Sequence, residues 1–236
     1  MIPKADSTTQ AAFDDDVVDG LAGTSVLVTG GHGFLGRYLV AALRQIGAVV
    51  HVPRRTELEL TNQESVRAYM STVRPRIIIH AAAACGGIGA NVANPGRFLH
   101  DNALMGLLLI EEARRNQVGT FVLISTTCAY PKHAPMPLVE STVWDGPPTG
   151  ATGPYGMAKR LLHEAVATYH QQYDFGGVVL MPANLYGPHD HFDPDNSHVV
   201  AAMIRRYSEA KRDGLTSITH WGTGHPTREF LHVRDA

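Results

Sequence analysis

The sequence predicts an α/β fold built on a doubly wound parallel sheet, and three observations point there. Short apolar runs rich in β-branched residues alternate with stretches of helical periodicity. Those runs are continuously apolar, as strands buried on both faces of a parallel sheet are. The first run is followed at once by closely spaced glycines, TGGHGFLG, and then by a helical pattern.

The elements follow in chain order. Val26–Thr29 reads as the first strand, and Phe34–Ile46 as a helix after the Gly30–Gly36 turn. Ala48–Val52 is the second strand. RIIIH (Arg76–His80), entered from Arg74-Pro75, is the third, and TFVLIS (Thr120–Ser125) the fourth. Between these two, Phe98–Gln117 reads as a long helix with Leu104, Leu107, Leu108 and Ile110 facing inward. A helix over Tyr155–Tyr173 leads to a fifth strand, Gly177–Met181. From about Asn184 the sequence turns loop-rich, with many His, Pro and Asp. A helix over Val199–Lys211 and a short strand over Ser217–Trp221 complete the pattern.

With 236 residues, 44% hydrophobic and 18% charged, the chain can bury one large core, or one domain and part of another. A net charge of −2 gives no electrostatic case for nucleic acid or an anionic membrane. No apolar run approaches the ~18 residues that cross a bilayer. Residues 1–22 are polar and acidic and read as a loosely ordered extension, not a secretory signal. Two cysteines, Cys85 and Cys128, are too few for a disulfide framework; both are expected free, in a reducing, cytoplasmic setting. The last words, REFLHVRDA, stop without a helix C-cap, so the natural protein is expected to continue.

Gly30, Gly33 and Gly36 would permit a tight turn, close approach to a pyrophosphate and close helix–strand packing, as in a Rossmann-like fold. Gly31 leaves a second register, GxGxxG, open. The phosphates would sit on the N-terminus of the following helix, at Phe34 and Leu35. The acid that commonly holds a ribose 2′-OH is missing from the tip of strand two. Arg54 and Arg55 stand there instead, and guanidinium groups suit a 2′-phosphate, favouring NADP over NAD. Two solvated surface arginines are the alternative.

PYGMAKR places Tyr155 and Lys159 four apart on one helical face. An ammonium beside a phenol favours the phenolate and is expected to lower its pKa, which would let tyrosine exchange a proton near neutrality. With the glycine turn and a fourth strand ending in hydroxyls, the chain resembles an extended short-chain dehydrogenase/reductase, and within that superfamily the GDP-L-fucose synthases. The matching words are CGGIGAN, STTCAYP, PYGMAKR, MPANLYGPHD, NSHV and WGTGHPTREF. Together with the glycine turn they run from Gly30 to Phe230.

The resemblance implies a division into a dinucleotide-binding domain over 23–183 and the start of a small, incomplete substrate-binding region over 184–236. It implies Tyr155 as proton donor, Lys159 on the nicotinamide ribose and Thr126 polarising the carbonyl, with Ser125 as a possible substitute. Cys128 and His198 match the family's cysteine and histidine, and Asn102 a structural asparagine. Such enzymes invert C3 and C5 of a 4-keto-6-deoxy nucleotide sugar and then reduce C4 with NADPH. A thiolate can take the acidified α-proton and an imidazolium can return one. A buried, inert thiol is the other reading of Cys128.

Pro182, Asn184 and Leu185 would flank the nicotinamide, and Gly87 would lie near the sugar. Arg206, Trp221 and Arg228 match substrate contacts, whereas Arg205 is expected at the surface. PHDHFDPDNSH matches no tetrahedral ligand spacing and reads as a loop, not a metal site. The helices over 98–117 and 155–173 are apolar enough to pair two subunits, so a homodimer is expected. Departures from the family pattern include His32 in place of an arginine, Ala84-Cys85 before GGI, His191, and Asn62 near the adenine. Two other readings stand beside the leading one. One is an NAD(P)-dependent epimerase, dehydratase or 4-ketoreductase on another nucleotide sugar, and the other is a non-catalytic dinucleotide-binding protein.

Overall fold

The computed structural model describes residues 20–194, 197–220, 222–225 and 227–236. Five parallel strands form one sheet in the order β2-β1-β3-β4-β5, where β1 is Ser25–Thr29, β2 Val49–His51, β3 Ile77–His80, β4 Thr120–Ile124 and β5 Gly177–Leu180. The chain winds outward one way from β1 to β2 and the other way through β3, β4 and β5. The reversal lies between β1 and β3, and the crevice at such a switch point is where doubly wound sheets bind ligands. Register pairs Val28 with Ile79 and Ile79 with Val122, so the carboxyl ends of β1, β3 and β4 finish level.

Alternate strand residues feed two clusters, as the strand period of two requires. Leu27, Ile78, Phe121 and Leu123 pack under α2 (Gln63–Val73), α4 (Pro95–Arg115) and α5 (Gly153–Tyr173), through Val66, Met70, Leu109, Ile110 and Leu162. Val26 and Val28 face the other way, against Val40 and Leu43 of α1 (Phe34–Gln45). Gly106 of α4 lies so close to the Leu162 side chain of α5 that a Cβ there would collide with it. The two long helices therefore pack at near-contact distance, which fixes α5 against the sheet.

The structure departs from the sequence expectation in several places. Helix α2 has no counterpart in the expected elements, although Asn62 caps it by accepting from the Ser65 N–H at 2.9 Å; this asparagine is a capping residue. The inward face of α4 is Asn102, Gly106, Leu109, Ile110 and Ala113, so Leu109 replaces Leu104 in the core. Residues 217–220 form no strand, and Trp221 lies outside the described residues. The late strand is β7, Phe230–His232, parallel to β6, Asn184–Tyr186. A short helix α3 (Ile88–Ala93) follows β3, and α6 spans Val199–Arg212. Among the described residues no helix is long and apolar enough to cross a membrane.

Candidate active site

The glycine turn is built as tightly as its residues allow. Gly30 has a positive φ of 69°, and a Cβ on it would sit 2.7 Å from the backbone nitrogen of Ala82, so the exits of β1 and β3 touch there. A Cβ at Gly36 would run into the carbonyl oxygen of Gly30. The Gly33 N–H donates to that same oxygen at 2.9 Å. The working register is therefore Gly30, Gly33 and Gly36; Gly31 serves packing, since its Cβ would meet Val52, just past β2. Gly33 is the N-cap of α1 and supplies no side-chain cap, and no acid stands in the first turn. The first N–H groups of α1 are thus presented for an anion.

Beside this turn opens a cavity of about 470 Å³ whose lining includes Thr29, Gly30, His32, Arg54, Arg55 and Glu59. The tip of strand two carries no acid, but Glu59 follows close behind. It pairs with Arg55 Nε at 2.5 Å and accepts from the Thr61 hydroxyl at 2.7 Å, and these bonds hold its carboxyl below the usual range, the Thr61 hydroxyl contributing most. Arg55 is largely exposed, and Arg54 offers its backbone N–H to Glu57 at 2.7 Å. His32 lies against the Val52 carbonyl oxygen at 3.2 Å.

The ends of β3 and β4 form the other half. Asn102, buried on α4, donates to the Ala84 carbonyl at 2.8 Å and accepts from the Ala84 N–H at 2.9 Å, clamping the loop that carries Cys85. Asn91 similarly holds Gly86 and Gly87, the latter being the N-cap of α3. Past β4, Thr126 Oγ1 accepts from the Cys128 N–H at 3.1 Å and so caps a short 3₁₀ turn over Thr127–Ala129. That leaves the Thr126 hydroxyl proton free to donate. Gly156 of α5 presses on the Cys128 carbonyl with no room for a Cβ. The turn that holds Cys128 is therefore seated on the residue next to Tyr155.

Lys159 is buried, and its Nζ donates to the Ile124 carbonyl at 2.9 Å. Desolvation pulls its pKa down to about 8. Its Nζ lies 5.9 Å from the centre of the Tyr155 ring. The expected lowering of the Tyr155 pKa is not found: it is raised well above its ordinary value, by burial first and then by the Cys85 and Cys128 thiols. An ammonium at that distance, bonded to a carbonyl, does not outweigh the loss of water around the phenol. Tyr155 is half-buried by surface area.

Sequence reasoning missed several members of this group. Cys85 is exposed by surface area, yet enough protein surrounds its thiol to desolvate it. Burial pushes its thiol pKa up, Lys159 pulls it down and Cys128 adds to the rise. His80, buried at the end of β3, bonds Thr29 at 2.8 Å, and burial with Lys159 nearby holds its pKa near about 3. Ser125 turns its hydroxyl to His163 Nε2, at 2.5 Å. The spacing Tyr155, Lys159, His163 could have revealed that imidazole, because every fourth residue shares a helical face.

The region after β5 is looser. Asn184, in β6, donates to the Glu229 carbonyl at 3.0 Å, with Pro182 just before the strand and Leu185 within it. His198 is exposed at the N-cap of α6 and, among the described residues, takes part in none of the contacts around Cys128 and Tyr155. Arg206 donates to the Thr219 carbonyl, and Arg228 to that of its neighbour Thr227 at 2.7 Å. Arg205 is half-buried, contrary to expectation: its side chain keeps 23% of its surface, its Nη1 lies 3.7 Å from Glu209, and its Nε is buried without a hydrogen-bond partner among the described residues. Among the described residues no cluster of three His, Cys, Asp or Glu could hold a metal.

The model of the NAD dependent epimerase/dehydratase family matches residues 26–236. This chain belongs to that family. It is 38% identical over 215 residues to the probable GDP-L-fucose synthase 1 of rice, and 37% identical over 211 residues to the GDP-L-fucose synthase of Escherichia coli K12. These alignments cover 90% and 89% of the chain but 66% of each relative, so the chain spans just under two thirds of their length. Among solved structures, a Naegleria fowleri GDP-L-fucose synthetase bound to NADP superposes with a TM-score of 0.81 at 26% identity, over 90% of this chain and 70% of that one. A UDP-glucose 4-epimerase from Thermotoga maritima with UDP-glucose gives 0.76 at 27%, over 89% and 70%. The shared fold accounts for the strand order and the switch-point cavity described above.

Proposed function

We propose that this family member is an NADPH-dependent enzyme that epimerises C3 and C5 of GDP-4-keto-6-deoxy-D-mannose and reduces C4, giving GDP-L-fucose. The observation that carries it is the seating of the Cys128 turn on Gly156, beside Tyr155, with the Thr126 hydroxyl between strand end and turn. The relatives named GDP-L-fucose synthase, and the NADP-bound neighbour, support substrate and cofactor.

The residues fit a dinucleotide. Gly30, Gly33 and Gly36 with the N–H groups of Phe34 and Leu35 would cradle its diphosphate, and Arg54 and Arg55 would meet a 2′-phosphate once Arg55 leaves Glu59. Lys159, Ser125, Pro182, Asn184, Leu185 and His198 complete the proposed cofactor contacts. When bound, NADPH supplies the hydride. The Thr126 hydroxyl donates a hydrogen bond to the C4 oxygen, which stabilises charge on that oxygen during both enolisation and reduction. Tyr155, whose pKa burial raises, delivers a proton to the same oxygen, and Lys159 holds the ribose. Cys128 takes the proton at the inverting carbons and His198 returns one from the other face. Gly87, Arg206, Trp221 and Arg228 are the proposed substrate contacts.

We place the dinucleotide half in residues 23–183, the beginning of the sugar-nucleotide half in 184–236, and the protein in the cytoplasm as a homodimer. Leu99 of α4 and Met157 and Leu161 of α5 are exposed apolar residues suited to such pairing. A plain C4 reductase is the second reading, favoured by the exposed position of His198. Incubation of the protein with NADPH and a panel of 4-keto-6-deoxy nucleotide sugars, followed by product NMR, decides between them. GDP-L-fucose supports the proposal; a product reduced at C4 with C3 and C5 unchanged supports the second reading.

A further inference from the structure

One bond inside the site is left without a role by the chemistry above. Ser125 is buried, the first residue past β4, and its N–H donates to the Leu180 carbonyl at 2.7 Å. Its hydroxyl lies 2.5 Å from His163 Nε2. One turn earlier on α5, Lys159 donates to Ile124, the residue just before Ser125. Helix α5 thus ties two consecutive residues of the strand end with two consecutive turns. The next residue is Thr126, whose hydroxyl caps the turn of Cys128.

We propose that His163 is a positioning residue, which through Ser125 locks the end of β4 so that the Ile124 carbonyl and the Thr126 hydroxyl keep their places beside Lys159 and Tyr155. The proposal rests on reading Tyr155 and Lys159 as the proton-transfer pair. A hydrogen bond is directional where an apolar contact is not, so it sets the angle of the strand end as well as its distance. The tie suits its place because the imidazole stays neutral. Burial first, then the positive charges of Lys159 and Arg160, hold the His163 pKa near about 4. Near neutral pH it therefore adds no cation beside the ammonium.

Lys159 reports the lock directly. Its low pKa arises from burial, opposed only by the Cys85 thiol, while His80 and His163 respond to its charge from β3 and from its own helix. Among the described residues Tyr155 also faces it, with its ring centre 5.9 Å from the Nζ, and Arg160 is its neighbour on the helix. If the strand end loosens, water reaches the ammonium and its pKa climbs toward the free value.

The test is competitive labelling of the Lys159 amine by an acylating reagent across pH, read by mass spectrometry on the full chain. Wild type should titrate near 8. In Ser125→Ala and His163→Leu the value should rise by about one unit, with no further rise in the double variant, as expected for two partners in one contact. His163→Gln, whose amide reaches the Nε2 position, should restore it. Ser125→Ala is mild enough to keep the fold, which circular dichroism checks. An unchanged Lys159 titration in folded single variants overturns the proposal, and so does a rise that His163→Gln fails to reverse. The readout needs no substrate, so failure of the proposed reaction would show separately, as absent turnover in wild type.

Discussion

Residues up to Leu180 and those from Asn184 onward make their contacts in different ways. In the first stretch, functional side chains stand on a five-stranded ladder and are tied to backbone atoms of neighbouring elements: Lys159 to Ile124, Asn102 to Ala84, Gly36 against Gly30. In the second, the sheet has two strands of three residues, and Arg228 bonds a carbonyl of its own loop. Elements that share many backbone bonds resist local opening, and short exposed ones do not. The chemistry proposed above, His198 apart, accordingly stands on the rigid stretch, while the residues proposed to grip the sugar nucleotide, Gly87 apart, lie on the yielding one.

That contrast predicts a gradient of effects. Tyr155→Phe should be the most severe, lowering turnover about a thousandfold while melting stays near wild type, because a positioned proton donor contributes on that scale; NADPH consumption measures it. Gly36→Ala should cost about 3 kcal/mol or more in urea unfolding, since the added Cβ meets backbone that cannot move aside. Asn102→Ala should cost about 2 kcal/mol by leaving both polar groups of Ala84 unpaired.

Acid should weaken the first stretch through its histidines. His80 and His163 have folded pKa values of about 3 and about 4, below the ordinary 6.5, so on acidification the unfolded chain takes up their protons first. Stability is then fully present above pH 6.5, falls as the pH drops through the interval down to about 3, and levels off below it. Urea midpoints of wild type and His80→Gln over that range check this, the variant having the shallower slope. Arg206→Ala, on the second stretch, should shift unfolding by no more than about 0.5 kcal/mol and act on the substrate KM. An effect on folding as large as that of Gly36→Ala would erase the distinction between the two regions.

The same contrast separates what could be read in the sequence from what could not. Strands β1, β3, β4 and β5 and helices α1, α4, α5 and α6 are visible as apolar periodicity, because burial against a sheet or core leaves that imprint. Helix α2 escaped because its apolar positions, Val66 and Met70, are few, and its clearest signal is a single cap at Asn62. β6 and β7 are three residues each and leave no periodic trace. At the site, Tyr155 and Lys159 declare themselves by spacing. The Tyr155 pKa does not, because its direction depends on how much water the fold removes and on two thiols brought in from other strand ends. Arg205 and Arg206 show the same limit: adjacent in sequence, they reach different partners, Glu209 and the Thr219 carbonyl, through the directions that the helix gives them.

The central claim is that a single pocket joins the Cys128 thiol to the Thr126, Tyr155 and Lys159 set and exchanges protons at carbon as well as reducing a ketone. Its most direct measurement is NMR of GDP-4-keto-6-deoxy-D-mannose in deuterium oxide with wild type and Cys128→Ser, without NADPH. Wild type should place deuterium at C3 and C5 and Cys128→Ser should not. Absence of deuterium with folded wild type, or equal incorporation by the variant, would contradict the account.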